Sequence, residues 1–236
     1  MAAANTLIPA YVLHSRPYRD TSALVDLLTL QQGRQRVVWR GARGGRKGSL
    51  SPQPFQPLLL SLSGRGELKT LQQAERAGSF PALQGNALFS GLYLNELLTR
   101  LLLTDEPQPL IFASYQGAIQ RLAEQQPLEP LLRRFEWLLL NELGYGFSLQ
   151  QDAAGQPLQV GLYYQWQAEQ GLLPVAAGQP GIPGAALLAM AADDWQAIET
   201  LRWAKRLMRQ ALAVHLGDKP LHSRQLFTVS KESDHE

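Results

Sequence analysis

The spacing of apolar and polar positions changes once along the chain, near residue 80. Before that point, short apolar runs alternate with glycine-containing turns, which is typical of β-strands. Five short strands in about seventy residues favour a small closed barrel, with the OB-fold as the leading candidate. The predicted strands span residues 9–15, 22–30, 35–41, 55–62 and 67–75.

After residue 80 the apolar positions recur with a helical period. Four helices are predicted, at 87–103, 109–125, 130–143 and from Asp193 or Asp194 as N-cap to about Leu216. Residues 148–183 are rich in Gly and Pro and predict an irregular insertion or a β-hairpin subdomain. The sequence therefore predicts an α+β protein with three parts. These are an OB-type barrel in 1–80, a mostly helical domain in 81–229 that contains the insertion, and a disordered tail in 230–236.

The charge of the whole chain, +2, conceals a strong segregation. Residues 1–80 hold eleven Lys and Arg against four Asp and Glu, whereas residues 81–198 hold four against eleven. Such segregation is typical of a chain that meets a polyanion with one part, and nucleic acid is the obvious polyanion. Charge alone leaves open the alternative of a solvated basic face without a partner.

Several classes of protein are disfavoured. No apolar run reaches the eighteen or so residues that span a bilayer, and no signal peptide is recognisable, so a cytoplasmic protein is expected. The absence of cysteine excludes disulfides, thiol nucleophiles and Cys-ligated zinc. The common catalytic motifs are also missing from the sequence, which offers no candidate catalytic residues and no metal-ligand set for a nuclease.

A glycine–arginine segment in the barrel is the first candidate site. Glycines let a loop follow a phosphate backbone closely, and Arg and Lys neutralise phosphates. Trp39 lies between the basic positions and is either a stacking platform for a base or a core residue. The basic positions are Arg34, Arg36, Arg40, Arg43, Arg46 and Lys47.

The last helix carries a basic stripe, the second candidate. Its four cations are spaced so that they project from one face, and the opposite face is apolar. Only Glu199 accompanies them, so an anionic partner is favoured. The stripe consists of Arg202, Lys205, Arg206 and Arg209.

The pair Arg133 and Arg134 is the third candidate, within an otherwise acidic and apolar helical domain. Adjacent helical positions point about 100° apart, so one arginine can pair internally while the other faces a groove. An exposed arginine beside an apolar groove suits the C-terminus of an acidic peptide. Two ordinary surface ion pairs are the alternative.

Seven ordered blocks of the sequence resemble the RecO family of bacterial recombination mediators, in its gammaproteobacterial form. They are AYVLHSRPYRDTS, GRQRVVWRGAR, SLSGRGELKTLQQAE, LFSGLYLNELLTRLL, LLRRFEWLLLNELGYG, LRWAKRLMRQAL and GDKPLHSRQLF. The resemblance implies a nucleoid-associated protein that binds single- and double-stranded DNA, anneals strands and, with RecR and the single-stranded DNA-binding protein SSB, helps load RecA. Many members carry four zinc-binding cysteines in the insertion, which this chain lacks, so neither a metal nor another cofactor is expected.

The resemblance also implies a site for the acidic C-terminal tail of SSB. Leu132, Phe135 and Leu139 are expected to line its groove, with Arg133 or Arg134 taking the terminal carboxylate. Lys205 or Arg206 would be a second cation. The competing interpretation is a protein-interaction scaffold that does not bind DNA, whose basic barrel only adds solubility.

Overall fold

The computed structural model describes residues 7–43, 50–78, 80 and 82–227. It divides into two compact units, and the first is not continuous in sequence. Unit 1 contains residues 1–126 and 220–236, and unit 2 contains residues 127–219. The predicted division at residue 80 stays a prediction, and the predicted tail at 230–236 lies outside the described residues.

Unit 1 begins with a closed five-stranded barrel in the order β1-β2-β3-β5-β4. All neighbouring strands are antiparallel except β3 and β5, which are parallel. The apolar interior explains the short apolar runs of the sequence, because alternate residues of each strand point inward. The strands are β1 (Ile8–Tyr18), β2 (Ser22–Thr29), β3 (Gly33–Trp39), β4 (Leu58–Ser63) and β5 (Leu68–Arg76).

Two helices follow the barrel within unit 1, α1 (Gly85–Leu101) and α2 (Pro109–Ala123). A buried network joins α1 to the barrel: the Asn95 side-chain amide donates to the Leu13 carbonyl at 2.9 Å. Tyr115 of α2 donates its hydroxyl to Asn95 Oδ1 at 2.6 Å. The carbonyl of Leu13 is available because β1 bulges between Val12 and His14, which takes Leu13 out of the pairing with β2.

Residues 220–227 return to unit 1 and dock on α1. The Glu96 carboxylate accepts the backbone N–H groups of His222 and Ser223, both at 2.9 Å, and the Ser223 hydroxyl at 2.6 Å. Arg100 donates to the Pro220 carbonyl at 3.2 Å. These bonds satisfy donors at the start of the helical turn 223–227, so Glu96 acts as a remote N-terminal cap.

Unit 2 is built on three helices, α3 (Leu128–Glu142), α4 (Gly184–Ala191) and α5 (Ile198–Leu216). The prediction that Asp193 or Asp194 caps α5 is wrong, because α5 begins at Ile198 after Ala197. Asp193 instead adopts a left-handed conformation, φ 56°, directly after α4. Helix α4 was not predicted.

The predicted insertion contains a three-stranded sheet in the order β7-β6-β8, formed by β6 (Tyr163–Gln167), β7 (Gly171–Pro174) and β8 (Ile182–Pro183). Tyr164 is buried and its hydroxyl accepts the Gln159 N–H at 2.9 Å, whereas Tyr163 is exposed. Of these two aromatic residues, Tyr164 therefore packs in the interior of the insertion.

The predicted α+β architecture, a small OB-type barrel followed by helices, is confirmed. Among the residues that the structure describes, no helix is long and apolar enough to cross a lipid bilayer.

Candidate functional site

The outer face of strands β1 to β3 presents basic side chains in neighbouring rows. Directly paired residues share a face, so Arg16 lies in the row of Leu24 and Val38, and Arg36 lies in the next row. Arg16 and Arg40 are exposed, and the Arg36 side chain is 44% exposed. Since adjacent strands are about 4.8 Å apart, the backbones of β1 and β3 that carry these cations are separated by roughly 10 Å.

Tyr18 lies on the same face, two residues after Arg16, and is partly exposed. The Arg19 guanidinium lies 5.2 Å from the centroid of its ring. Neither Arg16 nor Tyr18 was predicted as a site residue. Arg16 and Tyr18 are two positions apart, and this spacing on β1 could have indicated that they share a face. The bulge at Leu13 shifts the alternation of inward and outward residues, so the sequence pattern does not show which face this is.

Arg34 is not part of this exposed face, contrary to the sequence prediction. Its side chain is 11% exposed and donates to the carbonyls of Thr99 and of Leu102, the latter at 2.8 Å. Its Nε lies 3.5 Å from Asp26. These carbonyls lie at the C-terminal end of α1, so Arg34 caps a helix and is unavailable to phosphate.

Trp39 is also buried. It belongs to the buried apolar cluster of the barrel, together with Val25, Val37 and Leu60. A base cannot reach its ring face there, so its interpretation as a stacking platform is corrected in favour of the core.

The loop after β3 is described only in part. Arg40 and Arg43 are exposed, and the backbone N–H of Arg43 donates to the Thr21 carbonyl at 3.0 Å. Arg46 and Lys47 lie outside the described residues, and their predicted role stays a prediction.

The basic stripe of α5 divides into two kinds of cation. Arg202, Arg206 and Arg209 are exposed, although Arg202 pairs with Glu199 at 2.5 Å. Lys205 is only partly exposed and pairs with Glu129 of α3 at 2.6 Å. The stripe is therefore a solvent-facing surface of three arginines, with Lys205 linking α5 to α3.

Arg133 contributes to the lining of a groove in unit 2 but is almost wholly buried. Its side chain is 5% exposed and pairs with Glu136 at 2.8 Å. Transferring the Arg133 guanidinium to a ligand would break a buried ion pair, which is costly. The role of Arg133 as the receptor of a peptide carboxylate stays a prediction, and its buried pair with Glu136 speaks against it.

Arg134 points to solvent at the edge of a groove of about 520 Å³ in unit 2. Two of its five N–H donors point to Asp193: Nε lies 2.6 Å from Oδ1 and an Nη 3.0 Å from Oδ2. The guanidinium also lies 5.7 Å from the centroid of the Trp195 ring. Arg134 is thus the more exposed arginine of the pair.

The lining of this groove differs from the sequence prediction. Leu132, Phe135 and Leu139 are buried in the core, on the other side of α3. The groove is lined instead by apolar residues of α3, α4, α5 and the segments between them, which sequence spacing could not bring together. They include Trp137, Leu138, Phe147, Met190, Trp195 and Met208.

Within residues 7–43, 50–78, 80 and 82–227, no group of three or more His, Asp or Glu residues is arranged as a metal site.

Comparison with known proteins assigns both halves of the chain to one family. The model for "Recombination protein O N terminal" matches residues 1–80, and that for "Recombination protein O C terminal" matches residues 82–225. The chain is 58% identical over 224 residues to the DNA repair protein RecO of Pseudomonas paraeruginosa, covering 94% of this chain and 95% of that protein. It is 56% identical over 226 residues to that of Stutzerimonas stutzeri, covering 95% and 94%. The identity to the Pseudomonas putida protein is 57% over 220 residues, covering 93% and 96%.

Proposed function

Because the chain belongs to the RecO family of DNA repair proteins, we propose that it is a recombination mediator rather than a catalyst. In this role it binds single- and double-stranded DNA on the nucleoid, anneals strands and, with RecR and SSB, helps load RecA. The observation that carries the proposal is the exposed basic face of the barrel.

This face has more positive charge than its own carboxylates neutralise. Asp26 is the acidic residue in the row of Arg36 on this face. It already lies within 3.5 Å of both Arg34 and Arg36. Among the described residues, none of the exposed cations Arg16, Arg40 and Arg43 has an acidic partner within 4.0 Å. DNA phosphates would supply the missing negative charge. Their binding to these arginines would release the counterions that are condensed on free DNA.

A salt titration of oligonucleotide binding tests the DNA-binding face. The triple variant Arg16→Ala, Arg40→Ala, Arg43→Ala is expected to bind all sequences more weakly. Its log–log salt slope should fall by roughly 0.7–0.9 for each lost phosphate contact. Arg121→Ala is the control, since Arg121 is an exposed cation of the same unit on α2.

Two outcomes would contradict the proposal. An unchanged slope in the folded triple variant would remove this face from the DNA site. Negligible binding by the unaltered protein at every salt concentration would favour the scaffold that does not bind DNA.

Tyr18 is the proposed stacking residue of the face, in place of the buried Trp39. Base–aromatic stacking contributes about 1–3 kcal/mol per base, so Tyr18→Ala should weaken single-strand binding while Tyr18→Phe keeps most of it. Equal losses for both variants would show that the ring does not stack on a base.

The groove beside Arg134 is the proposed site for the acidic C-terminal tail of SSB. A terminal carboxylate and apolar side chains need a cation next to an apolar surface, and Arg134 with Trp137 and Leu138 provides both. Lys205, proposed from the sequence as a second cation, is held by Glu129 and is expected to contribute less than Arg206.

Fluorescence anisotropy with a labelled tail peptide tests this site. Arg134→Ala is expected to weaken binding about 3- to 10-fold, as for a partly exposed charge pair. Arg209→Ala is the control, because Arg209 is an exposed cation of the same unit that does not line the groove. Equal affinities in both variants would place the tail elsewhere.

A further inference from the structure

The mouth of the groove already holds a carboxylate. Asp193 meets the Arg134 guanidinium with both oxygens, the geometry in which arginine binds a ligand carboxylate. We propose that Asp193 is a resident substitute for the ligand carboxylate, which an incoming acidic peptide displaces from Arg134. The proposal rests on the peptide-binding function of this groove.

The backbone conformation of Asp193 is one in which aspartate is not the preferred residue, which points to a role for its side-chain contact with Arg134. Its φ of 56° lies in the left-handed region, and its N–H donates to the Met190 carbonyl at 3.1 Å, closing α4. Glycine and asparagine are the residues that best suit this C′ position. Aspartate is tolerated here while its carboxylate gains the bonds to Arg134.

Trp195 completes the contact. Its indole Nε1 donates to Asp193 Oδ1 at 2.5 Å, and its ring lies beside the Arg134 guanidinium. Asp193 and Trp195 both line the groove. Removing Asp193 from Arg134 therefore also takes away the hydrogen-bond acceptor of an aromatic side chain that the peptide would contact.

The contact must weaken peptide binding without changing its specificity for apolar side chains. In the free protein Arg134 is already paired with the Asp193 carboxylate. A ligand carboxylate therefore replaces one bidentate ion pair with another and does not add an ion pair. Its net gain is small, and the complex dissociates readily. A peptide ending in an amide does not compete for Arg134 and leaves the pair intact.

The test compares two forms of one peptide, the SSB tail ending in a free carboxylate and the same sequence ending in an amide. Asp193→Asn removes the charge and keeps a residue that suits the left-handed backbone, so the fold is preserved. It should bind the free-acid peptide about 3- to 10-fold more tightly, with amide binding within about 2-fold of the unaltered protein. Asp193→Gly should behave in the same way.

Asp194→Asn is the matched control. Asp194 is the exposed neighbour, and its carboxylate accepts the Gln196 N–H at 3.1 Å. It loses the same charge without touching Arg134, so both affinities should stay within about 2-fold. In an Arg134→Ala background, Asp193→Asn should have no further effect, because the cation being contested is gone.

Each other outcome is decisive. Affinity of Asp193→Asn equal to that of the unaltered protein, or equal tightening for acid and amide peptides, overturns the role of Asp193. If Arg134→Ala still weakens binding in that case, the peptide groove stands without it. Peptide binding that is absent, or insensitive to Arg134→Ala, overturns both the groove and the resident carboxylate.

Discussion

At the scale of single residues, Asn95 of unit 1 connects three elements through buried hydrogen bonds. Its amide joins the bulge of β1 to α1 and α2, through Leu13 and Tyr115. Burial raises the pKa of Tyr115 well above its usual value, so its hydroxyl stays protonated and remains a donor to Asn95.

Asn95→Ala should lower the free energy of unfolding by about 2–4 kcal/mol, because it leaves a buried carbonyl and a buried hydroxyl without partners. Urea denaturation measures this as a lower midpoint with an unchanged slope. Tyr115→Phe removes one bond only and should cost about 1 kcal/mol. Asn86→Ala, at an exposed position of the same helix, is the control, and a cost equal to that of Asn95→Ala would disprove the network.

Residue identity alone could not separate binding arginines from structural ones. Arg34 and Arg40 look equivalent in the sequence, but the partners of Arg34 are carbonyls of Thr99 and Leu102, more than sixty positions away. Arg133 and Arg134 are neighbours, yet one is buried against Glu136 and the other exposed. Such partners arise from tertiary packing, which local spacing does not encode.

At the scale of elements, the exposed arginines of α5 remain a proposed extension of the DNA site. Arg206→Glu with Arg209→Glu should shorten the oligonucleotide length needed for full affinity, toward the roughly 4–16 nucleotides that one OB-fold covers. Lys205→Gln is the control for charge, because Lys205 is engaged by Glu129. An unchanged length requirement in the double variant would assign the stripe to another partner.

The docking of residues 220–227 on α1 should depend on pH through Glu96. Partial burial raises the pKa of this carboxyl, but the bonds from Ser223 and His222 outweigh it and the net pKa lies below the ordinary 4.5. A lowered pKa in the folded state stabilises docking above pH 4.5, and this contribution is lost as the pH falls through the folded value. The amide resonances of His222 and Ser223 should shift over that range.

Glu96→Gln imitates the protonated carboxyl at neutral pH. It should weaken docking by about 1–2 kcal/mol, below the value for a fully buried charged bond because Glu96 is partly exposed. Trypsin cleavage after Arg224 should become correspondingly faster. Glu124→Gln is the control in the same unit, since the Glu124 carboxylate accepts bonds from the side chains of Gln120 and Gln126. Faster cleavage in this control as well would contradict the role of Glu96.

Elements were predictable where their periodicity was long or repeated. The barrel strands and helices α1 to α3 match the predicted segments to within a few residues. Helix α4 was missed because its eight residues are almost uniformly apolar and so show no helical period. Asp193 was misjudged because Asp is common both as an N-cap and in the left-handed position that ends a helix.

At the scale of the whole molecule, two compact units predict two thermal transitions in calorimetry. Tyr115→Phe should lower one of them and Leu139→Ala the other, the latter by about 2–5 kcal/mol of stability because Leu139 is fully buried. Leu138→Ala is the control for Leu139, since Leu138 is partly exposed and lines the groove. One transition lowered by both core variants would mean that the units unfold together.

The discontinuity of unit 1 has a consequence for how the protein is made. The segment 220–227 that Glu96 holds is synthesised only after all of unit 2, whereas α1 leaves the ribosome before it. At about 5–20 residues per second, unit 2 takes roughly 5–20 s to translate. During that interval the docking surface on α1 is bare, with Phe89 lacking the ring contact to Phe227 that it has in the finished protein. The nascent chain therefore passes through a state in which the barrel can close but unit 1 cannot be completed, and that apolar surface is open to a chaperone.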